Sequence, residues 1–167
     1  MKTCISLVCV FSMINKCLAL DFLCNFEDHD CGLINTNADA KWVRKYDNIG
    51  ERRGFFLVVD AVESNNNVAT VKTPYFSSNE VARGCLSVDY YINGVGAYEL
   101  RIDGEDFYRF NIKSVSESYI YWRSAQIDID LSFQDIKFYF IAKTNNIGRG
   151  TIAIDNIGFK RRACSVP

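Results

Sequence analysis

GTIAIDNIGF, residues 150–159, followed five residues later by Cys164, is the stretch that decides the fold. Ile152 and Ile154 share one parity, whereas Ile157 and Phe159 share the other, so the apolar side slips by one residue around Asp155-Asn156. Successive side chains of a strand point to opposite faces. The slip therefore has two readings. A bulge would return both pairs to one core and re-aim Asp155, or both faces of the sheet are buried and no bulge is required. At the other end of the chain FLCNFEDHDCGL, residues 22–33, sets two cysteines around an acidic loop. A cysteine-ended strand and a cysteine-framed loop together point to a disulfide-bonded extracellular module.

Strand signals dominate between these ends, and helical periodicity is hard to find. Residues 55–59 (FFLVV) are apolar at every position, which predicts a strand covered on both faces. Residues 68–71 and 86–92 are further candidates. Tyr98, Leu100 and Ile102 alternate with Glu99 and Arg101, after which Asp103-Gly104 is expected to turn the chain into a strand over residues 107–112. Ala125, Ile127 and Ile129 alternate with polar neighbours, and Ile136, Phe138, Phe140 and Ala142 share one face of the next strand. Short strands separated by turns, with 14% aromatic residues to fill a core, imply a sandwich or barrel. The prolines, Pro74 and Pro167, interrupt none of these strands.

Residues 1–19 read as a signal peptide: Lys2, an apolar stretch over 5–14, and the small-residue site at Cys17-Leu18-Ala19. Asn15 and Lys16 interrupt that stretch, which is too short to span a bilayer, and nothing downstream offers another span. Cleavage removes Cys4, Cys9 and Cys17 of the seven cysteines and leaves Cys24, Cys31, Cys85 and Cys164. An even count in a secreted chain reads as disulfides, with the connectivity open. A zinc site is weaker, because there is no CxxC pair and the only histidine is His29. The remaining residues 20–167, at a net charge of about −3, form a single domain. This balance argues against nucleic acid or an anionic membrane as the main partner.

Taken in order, these features resemble the MAM domain, the adhesion module of meprins, neuropilins and receptor-type tyrosine phosphatases. Phe26-Glu27 with Cys31-Gly32 resembles the family's opening motif, and Trp42 falls at its aromatic position. Residues 54–60 resemble the glycine-led strand, and the stretch before Pro74 a second strand ending at a proline. Cys85-Leu86-Ser87 with Tyr90, Tyr91 and Gly94 resembles the third-cysteine strand, and Trp122 and the final strand with Cys164 complete the series. Leu33 departs from the family's tryptophan, Asn156 from the second of two acids, and residues 144–149 match loosely. The resemblance implies an all-β, jelly-roll-like sandwich of two antiparallel sheets. It also implies disulfides Cys24–Cys31 and Cys85–Cys164, worth roughly 2.5 and roughly 4.5 kcal/mol in the chain-entropy model.

Catalysis has little to stand on: His29 lies in the cysteine-framed loop, and no Gly-x-Ser-x-Gly or HExxH segment occurs. Glu27, Asp28 and Asp30 crowd the first loop, Asp60 ends the strand at 55–59, and Asp155 marks the anomaly in the last strand. Hard cations take several oxygen ligands. Some family members hold a cation near the equivalents of Glu27 and Asp155, which implies a structural Ca or Na ion there; the bland alternative has these acids bonding backbone amides or facing water. Basic clusters at Arg44-Lys45, Arg52-Arg53 and Lys160-Arg161-Arg162 read as solvated rims unless gathered on one face. Tyr90, Tyr91, Tyr119 and Tyr121 divide between core and surface. No asparagine begins an Asn-x-Ser/Thr acceptor.

The expectation is a secreted, non-catalytic protein-binding module for an extracellular or cell-surface protein, with homophilic association among the options. The rival is a soluble jelly-roll lectin, whose sugar platforms would be Trp42 and Trp122 if exposed.

Overall fold

The computed structural model describes residues 22–37, 40–64, 67–79, 81–106, 108–132 and 134–164; the signal peptide expected at residues 1–19 lies outside them. One sheet runs in the order β3 (Val43–Ile49), β4 (Arg52–Asp60), β11 (Thr151–Lys160), β6 (Arg83–Asn93) and β9 (Arg123–Asp130). The short β1 (Phe22–Cys24) pairs with the distal half of β11. The second sheet runs β2 (Ile34–Asn35), β5 (Val68–Lys72), β10 (Lys137–Thr144), β7 (Ala97–Glu105) and β8 (Arg109–Val115). All of these pairings are antiparallel. One helical turn, α1 (Ala61–Ser64), follows β4. It is capped by Asp60, whose Oδ1 accepts from Val62 N at 2.8 Å and Glu63 N at 3.3 Å.

The sheets face each other across a core of interdigitating aliphatic and aromatic side chains. Phe76, Phe138 and Phe159 meet at its centre, with ring centroids 4.9–5.7 Å apart, and Phe22 closes on Phe76 at 5.1 Å. Trp42 is 2% exposed, and its indole N–H donates to the carbonyls of Ala69 (3.2 Å) and Phe140 (3.1 Å), stitching the first sheet's approach loop to the second sheet.

The last strand contains the bulge. Asp155 pairs with Asp89 and Gly158 with Ser87, so Asn156 and Ile157 share the space opposite Val88. Asn156 supplies the left-handed backbone conformation, at φ 48°. As a result Ile152, Ile154, Ile157 and Phe159 are all fully buried in one core. The first sheet is also partly covered on its outer face, where Phe56, Val58, Ile49, Ala153 and Trp122 form a second cluster. The strand at 55–59 is therefore covered on both sides, as its unbroken apolar run predicts.

One expectation is corrected. The chain does not turn at Asp103-Gly104: β7 continues to Glu105, and β8 begins at Arg109. Gly104 sits in the ladder opposite Phe110, and a Cβ there would lie 2.8 Å from the Phe110 ring, so this glycine admits a covering side chain instead of a turn. Asp103 is engaged by side chains across the sheet, and the turn passes to Asp106, whose Oδ1 accepts from Tyr108 N at 2.9 Å.

Candidate functional site

The four cysteines pair as the resemblance implied. Cys24–Cys31 closes the acidic loop with Cα atoms 5.9 Å apart, and Cys85–Cys164 ties the chain after β11 back to β6 with Cα atoms 4.8 Å apart. Cys164 N also donates to Asp128 Oδ1 of β9 at 2.7 Å. His29 is exposed, and its Nδ1 accepts from Cys31 N at 3.1 Å, a contact local to the loop. Asp28 is exposed, and Asp30 Oδ1 receives Gly32 N at 3.4 Å.

A carboxylate group gathers on the outer face of the first sheet. The antiparallel register places Asp155 directly opposite Asp89, so their side chains share that face. Glu27 reaches the same sheet from the cysteine-framed loop, its Oε1 accepting from Phe55 N at 3.3 Å. Gly54 makes room for it: a Cβ there would stand 2.8 Å from that oxygen. The loop is held by Arg44, whose Nε and Nη2 donate to the carbonyls of Phe26 and Glu27 at 2.6 Å while its guanidinium lies 3.9 Å above the Phe55 ring.

The two facing aspartates titrate in opposite directions. Burial pushes Asp89 up, but hydrogen bonds from Ser124 Oγ (2.5 Å), Asn156 Nδ2 (2.9 Å) and Arg52 Nη1 (2.7 Å) outweigh it, and its carboxyl is held below the ordinary value. Asp155 is 8% exposed and is pushed up to about 6, chiefly by burial, with the charges of Asp89 and Glu27 adding to the rise and the Asn156 amide and the Arg52 charge opposing it. Asp155 thus feels the charges of Glu27 and Asp89, offset in part by Arg52, and no group of three or more His, Cys, Asp or Glu side chains suited to a metal forms among the described residues. Asp60, the other candidate acid, caps α1.

Both tryptophans are buried, Trp42 at 2% and Trp122 at 9% exposed. Trp122 donates from Nε1 to Ile49 O at 2.6 Å, with Phe56 on one side and the Arg52 guanidinium 5.0 Å from its ring. Tyr90 is buried edge-on to Tyr119, Tyr91 packs beside Trp122, and Tyr121 is exposed. The basic clusters read from sequence do not merge. Arg44 pins the loop, Arg52 pairs with Asp89, Arg53 lies 5.5 Å from the Tyr46 ring, and Arg161 Nε donates to Ser77 O at 2.6 Å.

Charged side chains that are distant in sequence gather instead on the outer face of the second sheet, a feature the sequence pattern did not single out. Asp103 receives Arg101 and Arg109, Glu105 receives Lys137 and Tyr139, and Glu99 receives Lys143. Their alternation with core residues was visible; their partners depend on the register of three strands. Asp89 was missed for the same reason, because only the β6–β11 register opposes it to Asp155.

Comparison with known proteins supplies a family and a set of similar folds. The family model of the MAM domain, meprin/A5/mu, matches residues 24–165. No curated protein matches the chain. Among solved structures, the carboxy-terminal family 22 carbohydrate-binding module of Clostridium thermocellum Xyn10B is similar with a TM-score of 0.63 at 12% identity, over 90% of this chain and 99% of that one. A xylan-binding domain of family 22 gives 0.61 at 12% identity, over 89% and 97%. An exo-β-agarase gives 0.62 at 11% identity over 86% of this chain, which spans only 25% of the agarase. At these identities the likeness is one of fold.

Proposed function

The chain belongs to the MAM family, whose members are extracellular adhesion modules, and from that premise we propose that it is a secreted, non-catalytic module that binds extracellular or cell-surface proteins. The signal peptide at residues 1–19, the single domain at 20–167 and the secreted location are parts of the same proposal. Two disulfides suit an oxidising compartment. No helix among the described residues is long and apolar enough to cross a membrane. A second copy of the chain is one candidate partner.

The observation that favours a protein partner over a glycan is the burial of Trp42 and Trp122, whose indole N–H groups are spent on backbone carbonyls inside the fold. Neither ring is open to stack on a sugar. A glycan ligand remains the second reading, because the fold is shared with a xylan-binding domain and other carbohydrate-binding modules. A structural Ca or Na ion at Glu27 and Asp155 is a further proposal. The charges of Glu27 and Asp89 acting on Asp155 support it, Arg52 opposes it, and backbone carbonyls would have to complete the ligand set.

The test is to screen the purified, oxidised protein in parallel against an array of receptor ectodomains and an array of glycans. Saturable binding to ectodomains stripped of N-glycans supports the protein reading. Saturable binding confined to the glycan array overturns it in favour of the lectin.

A further inference from the structure

Core side chains fix which residues of the second sheet face outward. Phe138, Phe140 and Ala142 of β10 and Leu100 and Ile102 of β7 point inward, so Tyr139, Arg101 and Asp103 point out. Two of the acids on this face are neutralised by lysines: Glu99 by Lys143 at 2.5 Å and Glu105 by Lys137 at 2.6 Å. Asp103 differs. It is 3% exposed, and its Oδ2 receives two guanidinium groups, Arg101 Nη2 and Arg109 Nε, each at 3.1 Å.

One carboxylate cannot neutralise two arginines, and a positive charge is left over. Only one N–H of each guanidinium is used on Asp103, and Arg101 Nε is buried with no hydrogen-bond partner. Arg109 is held in place from below, its guanidinium 3.9 Å from the centre of the Tyr139 ring, and the Tyr139 hydroxyl donates to Glu105 Oε2 at 2.6 Å. Lys72 of β5, in register with Tyr139, adds a second positive group that has no ion pair among the described residues. The face is thus basic in a chain whose overall charge is −1.

We propose that Arg101 and Arg109, positioned by Asp103 and Tyr139, form an anion-binding subsite that receives a carboxylate side chain from an acidic segment of a protein partner. A guanidinium fork matches the planar carboxylate. Lys72 is paired with Tyr139, the residue under the Arg109 guanidinium, and its backbone lies about two strand spacings or ~10 Å from that of Asp103, a span that about three residues of extended peptide would cover. Arg109 covers the Tyr139 ring, so the aromatic at the centre of this face is closed to sugar stacking, and this favours a peptide over a glycan. The inference rests on the protein-binding reading and names the surface and chemistry of that contact.

The test is fluorescence anisotropy with the oxidised chain and three labelled probes: an extended peptide with glutamates three residues apart, the same peptide with glutamines, and a sulfated glycosaminoglycan oligosaccharide. The glutamate peptide is expected to bind, the glutamine peptide not, and affinity to fall at least tenfold in Arg101→Gln and Arg109→Gln. Lys72→Gln, which breaks no ion pair, is expected to weaken binding severalfold and keeps the test open if an arginine variant misfolds. Lys41→Gln, an exposed charge outside this face, is the control and should bind as wild type. Equal loss in Lys41→Gln and the three variants, or no binding of the glutamate peptide, overturns the subsite. Binding of the oligosaccharide alone overturns the peptide assignment. Failure here together with ectodomain binding would move the contact elsewhere and leave the protein-binding reading intact.

Discussion

Replacing Asp155 with asparagine is expected to stabilise the protein at neutral pH and to leave it unchanged in acid. The substitution keeps an oxygen to accept the Asn156 amide, now 2.7 Å from Asp155 Oδ1, and removes a charge that faces Asp89 across the β6–β11 ladder. Asp155 titrates near 6 in the folded chain against an ordinary 3.8. The native state therefore holds a proton that the unfolded chain has released, and stability falls as pH rises through this window. Two pKa units at about 1.4 kcal/mol each set a ceiling near ~3 kcal/mol, and screening by solvent and by Arg52 reduces it to about 1–2 kcal/mol. The assay is urea unfolding with both disulfides intact, in a chelator, from about pH 3 to about pH 8. Wild type and Asp155→Asn should coincide below pH 4, diverge between about pH 4 and 6, and stay about 1–2 kcal/mol apart above that with the variant more stable. A variant that is less stable at pH 8, or a gap independent of pH, would refute the reasoning.

Three further perturbations follow from the same structure. Cys164→Ala releases the long bridge and is expected to cost up to about 4.5 kcal/mol before native strain is deducted, read as lost secretion or a lower melting transition; normal secretion with unchanged melting would argue against a structural role for the bridge. Trp42→Phe leaves space in the core and strips the indole donor from the Ala69 and Phe140 carbonyls, for an expected loss of about 2–4 kcal/mol in denaturant unfolding. Millimolar Ca2+ added to chelator-treated protein at pH 7.5 should raise the melting temperature of wild type and leave Glu27→Gln and Asp155→Asn unmoved; an unchanged wild-type transition removes the cation proposal.

The fold was legible where burial alone sets the pattern. Residues 55–59 and the alternation at 136–142 announce their strands because no competing arrangement hides so many apolar side chains. The parity slip at Asp155-Asn156 was visible too, but alternation could not separate a bulge from a sheet buried on both faces; the chain has the bulge, and the first sheet also carries an outer cluster around Trp122. Asp103-Gly104 misled because a turn dipeptide and a strand dipeptide under an aromatic ring look alike until the register is known. The strand β3 went unseen, since as an edge strand it carries mainly exposed and partly exposed side chains, in the sequence VRKYDNI. The site residues divide in the same way. The cysteines, Glu27 and Asp155 stand out by position, whereas Asp89, Arg101 and Arg109 acquire their partners only from pairing between strands far apart in sequence.

Binding of the labelled, oxidised chain to cultured cells, measured before and after treatment with protease and separately with glycosidases, tests the protein-binding claim most directly. The account predicts saturable binding that is lost after protease and retained after glycosidases. Binding that survives protease and disappears after glycosidases would contradict it and make the molecule a lectin.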